Sequence, residues 1–151
     1  MPEIPGTHAT YIAASLRNLS TATGDAGDHE IVTYDAAAVD DDGDAAVAAV
    51  REALTAIGDP DWAPHIDPLP FAARLREHRA SCADARRFAQ TMPAAWVRQL
   101  AIAGTPGQAR EAIGSRHAAG ATSVVLAPAG REALACLDSL ARALPPRPLN
   151  R

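Results

Sequence analysis

The stretch Gly104-Thr105-Pro106-Gly107 has the residue types of a helix start that can bind an anion. The first backbone N–H groups of a helix have no partner inside the helix, so they attract a phosphate or carboxylate. The same stretch also suits capping, because Thr105 can accept from the Gln108 N–H while the Gln108 side chain reaches back. It lacks the lysine and the glycine spacing of a P-loop. Capping is the simpler interpretation, and anion contact is the alternative.

His65 is the histidine best placed for chemistry. It lies in a connection that carries four prolines between residues 60 and 70. Long connections in compact domains are often functional, and imidazole changes its charge near neutral pH. His65 is therefore the candidate catalytic residue, with an ordinary surface or packing role as the alternative.

No metal site is expected. In the run Asp-Asp-Asp-Gly-Asp at 40–44, the calcium-loop frame that uses Gly43 would need ligands at Ala38 and Ala49. Acidic residues at this position instead favour a helix start, because they offset the helix dipole. The histidines lack metal-ligand spacing, and Cys82 and Cys136 are read as buried free thiols.

The elements that must position these residues alternate between strands and helices. Strands are predicted at 29–39, Leu100–Ala103 and Ser123–Ala127, and helices follow each of them. Near the N-terminus, Thr10–Ala14 is predicted as a strand and Ser15 as the cap of the next helix. Residues 60–70 are expected to lack regular structure, and Pro93 is expected to open a short turn. This order favours an α/β fold with parallel strands and right-handed crossovers.

The spacing of apolar residues also predicts the core. The helix after residue 44 presents one apolar face and ends at Gly58, the helix after Thr105 ends at Gly120, and the last helix carries a leucine stripe. The predicted core residues are Val47, Val50, Leu54, Ile57, Ile113, Val124, Val125, Leu126, Leu134 and Leu137.

Length and composition favour one globular domain over residues 1–151. The 14 basic residues are all arginines spread along the chain and the net charge is -4, so a nucleic-acid partner is not expected. No apolar run is long enough for a membrane span, and the N-terminus has no secretory pattern. A cytoplasmic protein is expected, and the absence of lysine beside abundant alanine and arginine is typical of a GC-rich bacterium.

The segment "LAIAGTPGQAREAIGSRHAAGATSVVLAP", after "MPAAWVRQ" and before a leucine-rich helix, resembles the C-terminal end of the luciferase-like monooxygenase family. "EIVTYDAAAVDDDGDAAVAAVREAL" resembles an earlier strand and helix of that family. The similarity covers about residues 29–144, and "YIAAS" is a shorter match to the strand that leads to the coenzyme phosphate.

The resemblance implies a partial TIM-like (β/α) barrel, the C-terminal half of a luciferase-like barrel. Complete barrels need about 250 residues, so strands one to four would be absent and the sixth would be lost between Asn18 and Asp28. The resemblance also implies an FMN or deazaflavin coenzyme, with Ser15, Asn18, Gly104 and Thr105 as candidate contacts. Helix capping is the alternative role for Ser15 and Asn18.

Two functions remain open from the sequence. One is an oxidoreductase or monooxygenase in which a reduced flavin or deazaflavin acts on a small organic substrate. The other is a non-catalytic remnant or assembly module whose open sheet edges need a partner, either a second copy or a complementary half barrel.

Overall fold

The computed structural model describes residues 7–23, 30–130 and 132–145. Three strands and a larger number of helices alternate along them. Their bounds, in chain order, are α1 Thr7–Thr23, β1 Val32–Val39, α2 Gly43–Val50, two 3₁₀ helices at Arg51–Gly58 and Pro60–Trp62, α3 Ala63–Ile66, α4 Ala72–Ser81, α5 Ala85–Thr91, α6 Ala94–Leu100, β2 Ile102–Gly104, α7 Pro106–Ala118, β3 Ser123–Pro128 and α8 Ala133–Ala141.

The three described strands form one parallel sheet in the order β2-β1-β3. Ala37 of β1 lies opposite Ile102 of β2, and Tyr34 of β1 lies opposite Val125 of β3. The chain passes from β1 to β2 through α2 to α6, and it returns across β1 to β3 through α7. The predicted α/β fold with parallel strands is therefore confirmed.

Helices pack on both faces of this sheet, because the two crossovers leave it on opposite sides. On one face, Ala38 of β1 joins a core cluster with residues of α2, α4, α5 and α6. On the other face, Ala37 and Val39 pack with Ile102, Ala109 of α7 and residues of the α8 region. We call these the α2 face and the α7 face.

The helix stripe predicted after residue 44 is confirmed at its main positions. Val47, Val50 and Leu54 are buried, and Ile57 is partly buried against the same cluster. The predicted single helix continues beyond Val50 as a 3₁₀ helix, and it ends at Gly58 as expected. The apolar spacing from Phe71 to Ala89 suits either one helix or two abutting ones, and the structure has two, α4 and α5.

The predicted strand at Thr10–Ala14 is wrong, because these residues lie inside helix α1. Ser15 is therefore an interior residue of the helix and not a cap. A short apolar run does not distinguish a strand from a buried helix segment. In the structure this segment is a helix whose inward face carries Ile12, which is buried, and Leu16, four residues later, which is partly buried.

Two other segments are more helical than their sequence predicts. The proline-rich connection contains Pro60–Trp62 and Ala63–Ile66 as short helices, and α6 replaces the short turn expected after Pro93. Proline is compatible with the first turn of a helix, where its missing N–H has no partner to lose. Frequent prolines therefore shortened these helices without preventing them.

Three predicted core residues lie at the surface. Val125 is 38% exposed, and Leu134 and Leu137 are 81% and 50% exposed. On α8 the inward positions are Leu140, which belongs to the predicted stripe, and, just beyond the helix, Ala143, whereas Leu134 and Leu137 of that stripe point outward. Ile113, Val124 and Leu126 are partly buried against the α7-face cluster.

The three strands form an open sheet, which neither closes a barrel nor excludes that it is part of one. In this sheet β1 lies between β2 and β3. The partial barrel therefore stays a prediction. Within the described residues, no helix combines the length and the apolar character needed to cross a membrane.

Candidate functional site

A crevice lies at the carboxyl edge of the sheet, between the ends of β1 and β3. The chain leaves β1 toward α2 on one face and leaves β3 toward α8 on the other, so the two connections diverge. In open parallel sheets, such a divergence forms the crevice in which ligands bind. The cavity here has a volume of about 300 Å³ and is bounded by Val39, Ala129 and Gly130.

The walls of the crevice combine small apolar side chains with a few polar groups. Alanines of α2 and α8 and of the strand ends form half of the lining, and their small side chains leave space for a flat or compact ligand. The polar lining residues are Asp40, Glu132, Cys136 and Ser139. Two carboxylates at the rim favour hydrogen-bond donors or cations over phosphate.

Cys136 and Gly130 shape the side of the crevice nearest β3. The Cys136 thiol donates to the Ala129 carbonyl, with 3.4 Å between sulfur and oxygen. Gly130 has φ +136°, and a Cβ at this position would lie only 2.9 Å from the Cys136 sulfur. A glycine is thus needed for both backbone conformation and close approach.

The predicted role of Thr105 as a helix cap is confirmed. The Thr105 N–H donates to Gln108 Oε1 over 2.9 Å, and the Gln108 N–H donates to Thr105 Oγ1 over 3.4 Å. This reciprocal pair uses two donors that an anion would need. A Cβ on Gly43 would come within 2.9 Å of Gln108 Oε1, so the acidic start of α2 adjoins the start of α7. Asp44 is paired there with Arg98, whose Nη2 lies 2.9 Å from Asp44 Oδ1.

The structure does not bring the four candidate coenzyme contacts together. Gly104 and Thr105 precede α7, whereas Ser15 and Asn18 lie on α1, which meets the other end of α7. A Cβ on Gly120, with φ +111°, would collide with Leu16. The 13 residues of α7 span about 20 Å. The two pairs therefore lie at opposite ends of α7, and their role as coenzyme contacts stays a prediction.

His65 lies on α3 with an exposed side chain. Its ring centroid is 4.7 Å from that of Tyr11 and 5.3 Å from that of Trp62. His65 is not one of the described residues that line the crevice. The structure thus places this candidate in a surface aromatic cluster and not beside the carboxyl edge.

A buried ion pair on the α7 face was missed by the sequence analysis. Arg116 is 2% exposed and Asp35 is 1% exposed, and Arg116 Nε donates to Asp35 Oδ1 over 2.9 Å. Arg116 Nη2 also lies 2.8 Å from that oxygen, although its angle is unsuited to a hydrogen bond. Thr33 Oγ1 donates to Asp35 Oδ2 over 2.9 Å. An acidic residue within an otherwise apolar buried strand was the available signal, because such a charge needs a partner.

The described residues contain no group of three or more potential ligands that could hold a metal ion. A scan against protein-family models, a search of curated proteins and a search of solved structures each gave no match.

Proposed function

We propose that the chain acts as an assembly module that associates with further copies of itself. The observation that supports this proposal is an uncovered part of the α2 face, formed by Val32, Tyr34 and Val125. Their exposed fractions are 44%, 74% and 38%. Tyr34 and Val125 lie opposite each other on β1 and β3, so the three side chains form one surface, which we call the bare sheet face. Clustered exposed apolar residues are typical of interaction sites.

The same chain also exposes an apolar helix surface. Leu134 and Leu137 of α8, with Leu144 just beyond it, point away from the core, and Leu144 is 51% exposed. Leu134 and Leu137, three residues apart, lie on one side of α8, and Leu144 follows beyond the end of the helix. We call these residues the α8 leucine stripe.

These two surfaces are complementary in kind. A sheet face of an α/β protein is normally covered by a helix with an apolar stripe, and such a helix is normally covered by a sheet. The bare sheet face lies on the α2 side and α8 packs on the α7 side, so one copy cannot satisfy both with itself. We therefore assign the α8 leucine stripe of a second copy as the occupant of the bare sheet face.

The proposal is tested with Tyr34→Asp, which places a charge on the bare sheet face, and Leu137→Asp, which places one on the stripe. Both side chains are exposed, so each variant should fold. The wild-type chain should scatter light as a species heavier than 15.7 kDa, and each variant should be monomeric. Gln90→Asp, at an exposed position of α5, is the matched control and should associate like the wild type.

Mixing the two variants is the decisive step. The Leu137→Asp chain keeps an intact sheet face and the Tyr34→Asp chain keeps an intact stripe, so a mixture should form a one-to-one complex of about 31 kDa, twice 15.7 kDa. A face-to-face contact between identical surfaces would not be restored by mixing. A monomeric wild type at high concentration, or a mixture that stays monomeric, would overturn the proposal.

A second candidate function is the coenzyme-dependent oxidoreductase of the luciferase-like class. The crevice between β1 and β3 favours it, because an apolar cavity at the carboxyl edge is where α/β enzymes bind ligands. In this proposal the chain is the C-terminal part of a luciferase-like barrel, and a bound flavin or deazaflavin would supply the redox chemistry. The alanine walls would hold the ring with a small organic substrate beside it, and the coenzyme phosphate would lie outside the crevice, away from the rim carboxylates Asp40 and Glu132.

Titration with FMN and with a deazaflavin, followed by fluorescence, tests this second candidate. Ala135→Trp fills the crevice from α8 and should abolish binding, whereas Ala95→Trp at an exposed position of α6 should not. Binding that Ala135→Trp leaves unchanged, or an absence of binding in the wild type, would contradict it. Both results are independent of the mixing experiment.

A further inference from the structure

Cys82, His78 and Thr91 form a cluster where α4 and α5 meet. Cys82 Sγ lies 4.0 Å from His78 Nε2, and Thr91 Oγ1 lies 3.1 Å from the same nitrogen. Sγ and Oγ1 are 3.8 Å apart, so the three atoms form a compact triangle. A nucleophile, a base and a hydroxyl within hydrogen-bonding range are the components of an activated thiol.

The imidazole is held in this position by its neighbours. Its ring centroid is 5.5 Å from that of the buried Phe88 and 6.1 Å from that of Trp96, in an edge arrangement with the latter. Thr91 Oγ1 lies 3.1 Å from His78 Nε2 and donates to the Arg87 carbonyl over 2.8 Å, so its oxygen can accept a hydrogen from Nε2 once that nitrogen is protonated. Nε2 is therefore kept facing the Cys82 sulfur.

We propose that Cys82 is a thiol-modification site for carbon electrophiles that carry a leaving group. With the neutral ring protonated at Nδ1, the Cys82 S–H proton passes to the free lone pair of His78 Nε2, sulfur forms a bond to the electrophilic carbon, and the leaving group departs with the electrons of its bond. The imidazolium then releases the proton to solvent. Thr91 Oγ1 accepts from the protonated Nε2 and so stabilises the charged ring.

Cys136 is an internal comparison in the same molecule. Both cysteines are partly buried free thiols. The Cys136 thiol donates to the backbone carbonyl of Ala129, which cannot remove its proton. A difference in reactivity between the two cysteines therefore reports the effect of His78 more than that of exposure.

The test is the rate of alkylation of each cysteine by iodoacetamide, measured by mass spectrometry of peptides from the intact full-length chain. Cys82 should react about tenfold faster than Cys136. This enhancement is smaller than the roughly hundredfold that a well-placed general base supplies, because the sulfur lies 4.0 Å from Nε2. His78→Gln should bring the ratio of the two rates to about one, again by loss of that base. His117→Gln, at an exposed histidine of α7, should leave the ratio unchanged.

Equal rates in the wild type, or a ratio that survives His78→Gln, would overturn the proposal. An increase in the alkylation rate of Cys136 in His78→Gln would indicate that this variant unfolds. The Thr91→Val variant then provides the test of the cluster. It keeps the size of the side chain and removes the hydroxyl, so the ratio should fall. An unchanged ratio in Thr91→Val would then contradict the proposed cluster.

Discussion

The two faces of β1 differ sharply in how well they are covered. On the α7 face, Thr33, Asp35 and Ala37 are all buried, including a carboxylate. On the α2 face, Ala38 is buried at the carboxyl end, but Tyr34 and Val32 are largely exposed at the other end. The same strand thus buries a charge on one side and exposes an aromatic ring on the other.

The cause is the path of the chain after each strand. The crossover through α7 traverses the sheet from β2 to β3, so α7 and α8 together cover the α7 face. The crossover through α2 to α6 joins β1 to β2. Helices α2 and α6 contact the sheet mainly at these two strands, so they leave part of the α2 face near β3 uncovered. Coverage of a strand therefore follows the topology and not the polarity of its side chains.

Arg116→Leu, on the covered α7 face, should cause the largest loss in the free energy of unfolding. It removes the buried cation that pairs with Asp35, a change that typically costs about 3 to 5 kcal/mol. The free energy of unfolding from urea denaturation measures this cost. The double variant Asp35→Leu with Arg116→Leu should recover much of the loss, because it removes both charges. A loss below about 1 kcal/mol in the single variant would mean that the pair is solvated.

Leu54→Ala tests the layer that covers only part of the α2 face. Leu54 is buried in the cluster with Ala38, so truncation should cost about 2 to 5 kcal/mol through lost burial and a cavity. The thermal midpoint and the urea midpoint should both fall. Thr55→Ala, at the next position, should change stability by less than about 0.5 kcal/mol. Equal effects at the two positions would show that this helix face is assigned incorrectly.

Thr105→Ala removes the cap of the helix that covers the α7 face. The loss of the capping box should cost about 1 kcal/mol of unfolding free energy. Thr105→Ser keeps a hydroxyl that can accept from the Gln108 N–H, so it should retain most of the stability. A serine variant as unstable as the alanine variant would assign the effect to the lost methyl group.

Val124→Ala and Val125→Ala compare the two faces at adjacent positions of β3. Val124 packs against the α7-face cluster, so its truncation should cost about 1 kcal/mol. Val125 belongs to the bare sheet face, so its truncation should cost less than about 0.5 kcal/mol in dilute solution. Denaturation at low protein concentration makes this comparison, since association would protect Val125. The reverse order would contradict the assignment of the two faces.

Local signals in the sequence determined several features correctly. Thr105, Pro106 and Gln108 specified a helix start, and Gly120 specified its end, because capping depends on residues within one turn. The strands at 32–39 and 123–128 followed from their runs of apolar and β-branched residues. The stripe of Val47, Val50 and Leu54 predicted a buried helix face for the same reason.

Only the tertiary structure decided which apolar stripes are buried and which residues meet. Thr10–Ala14 and Leu134–Leu137 have enough apolar character for more than one placement, and contacts with distant helices chose between them. The pairing of Asp35 with Arg116 spans 81 residues, and the separation of Ser15 from Thr105 is set by the length of α7. Periodicity within one element carries no information on the partner it meets, because that choice depends on the order of strands and the side on which each crossover returns.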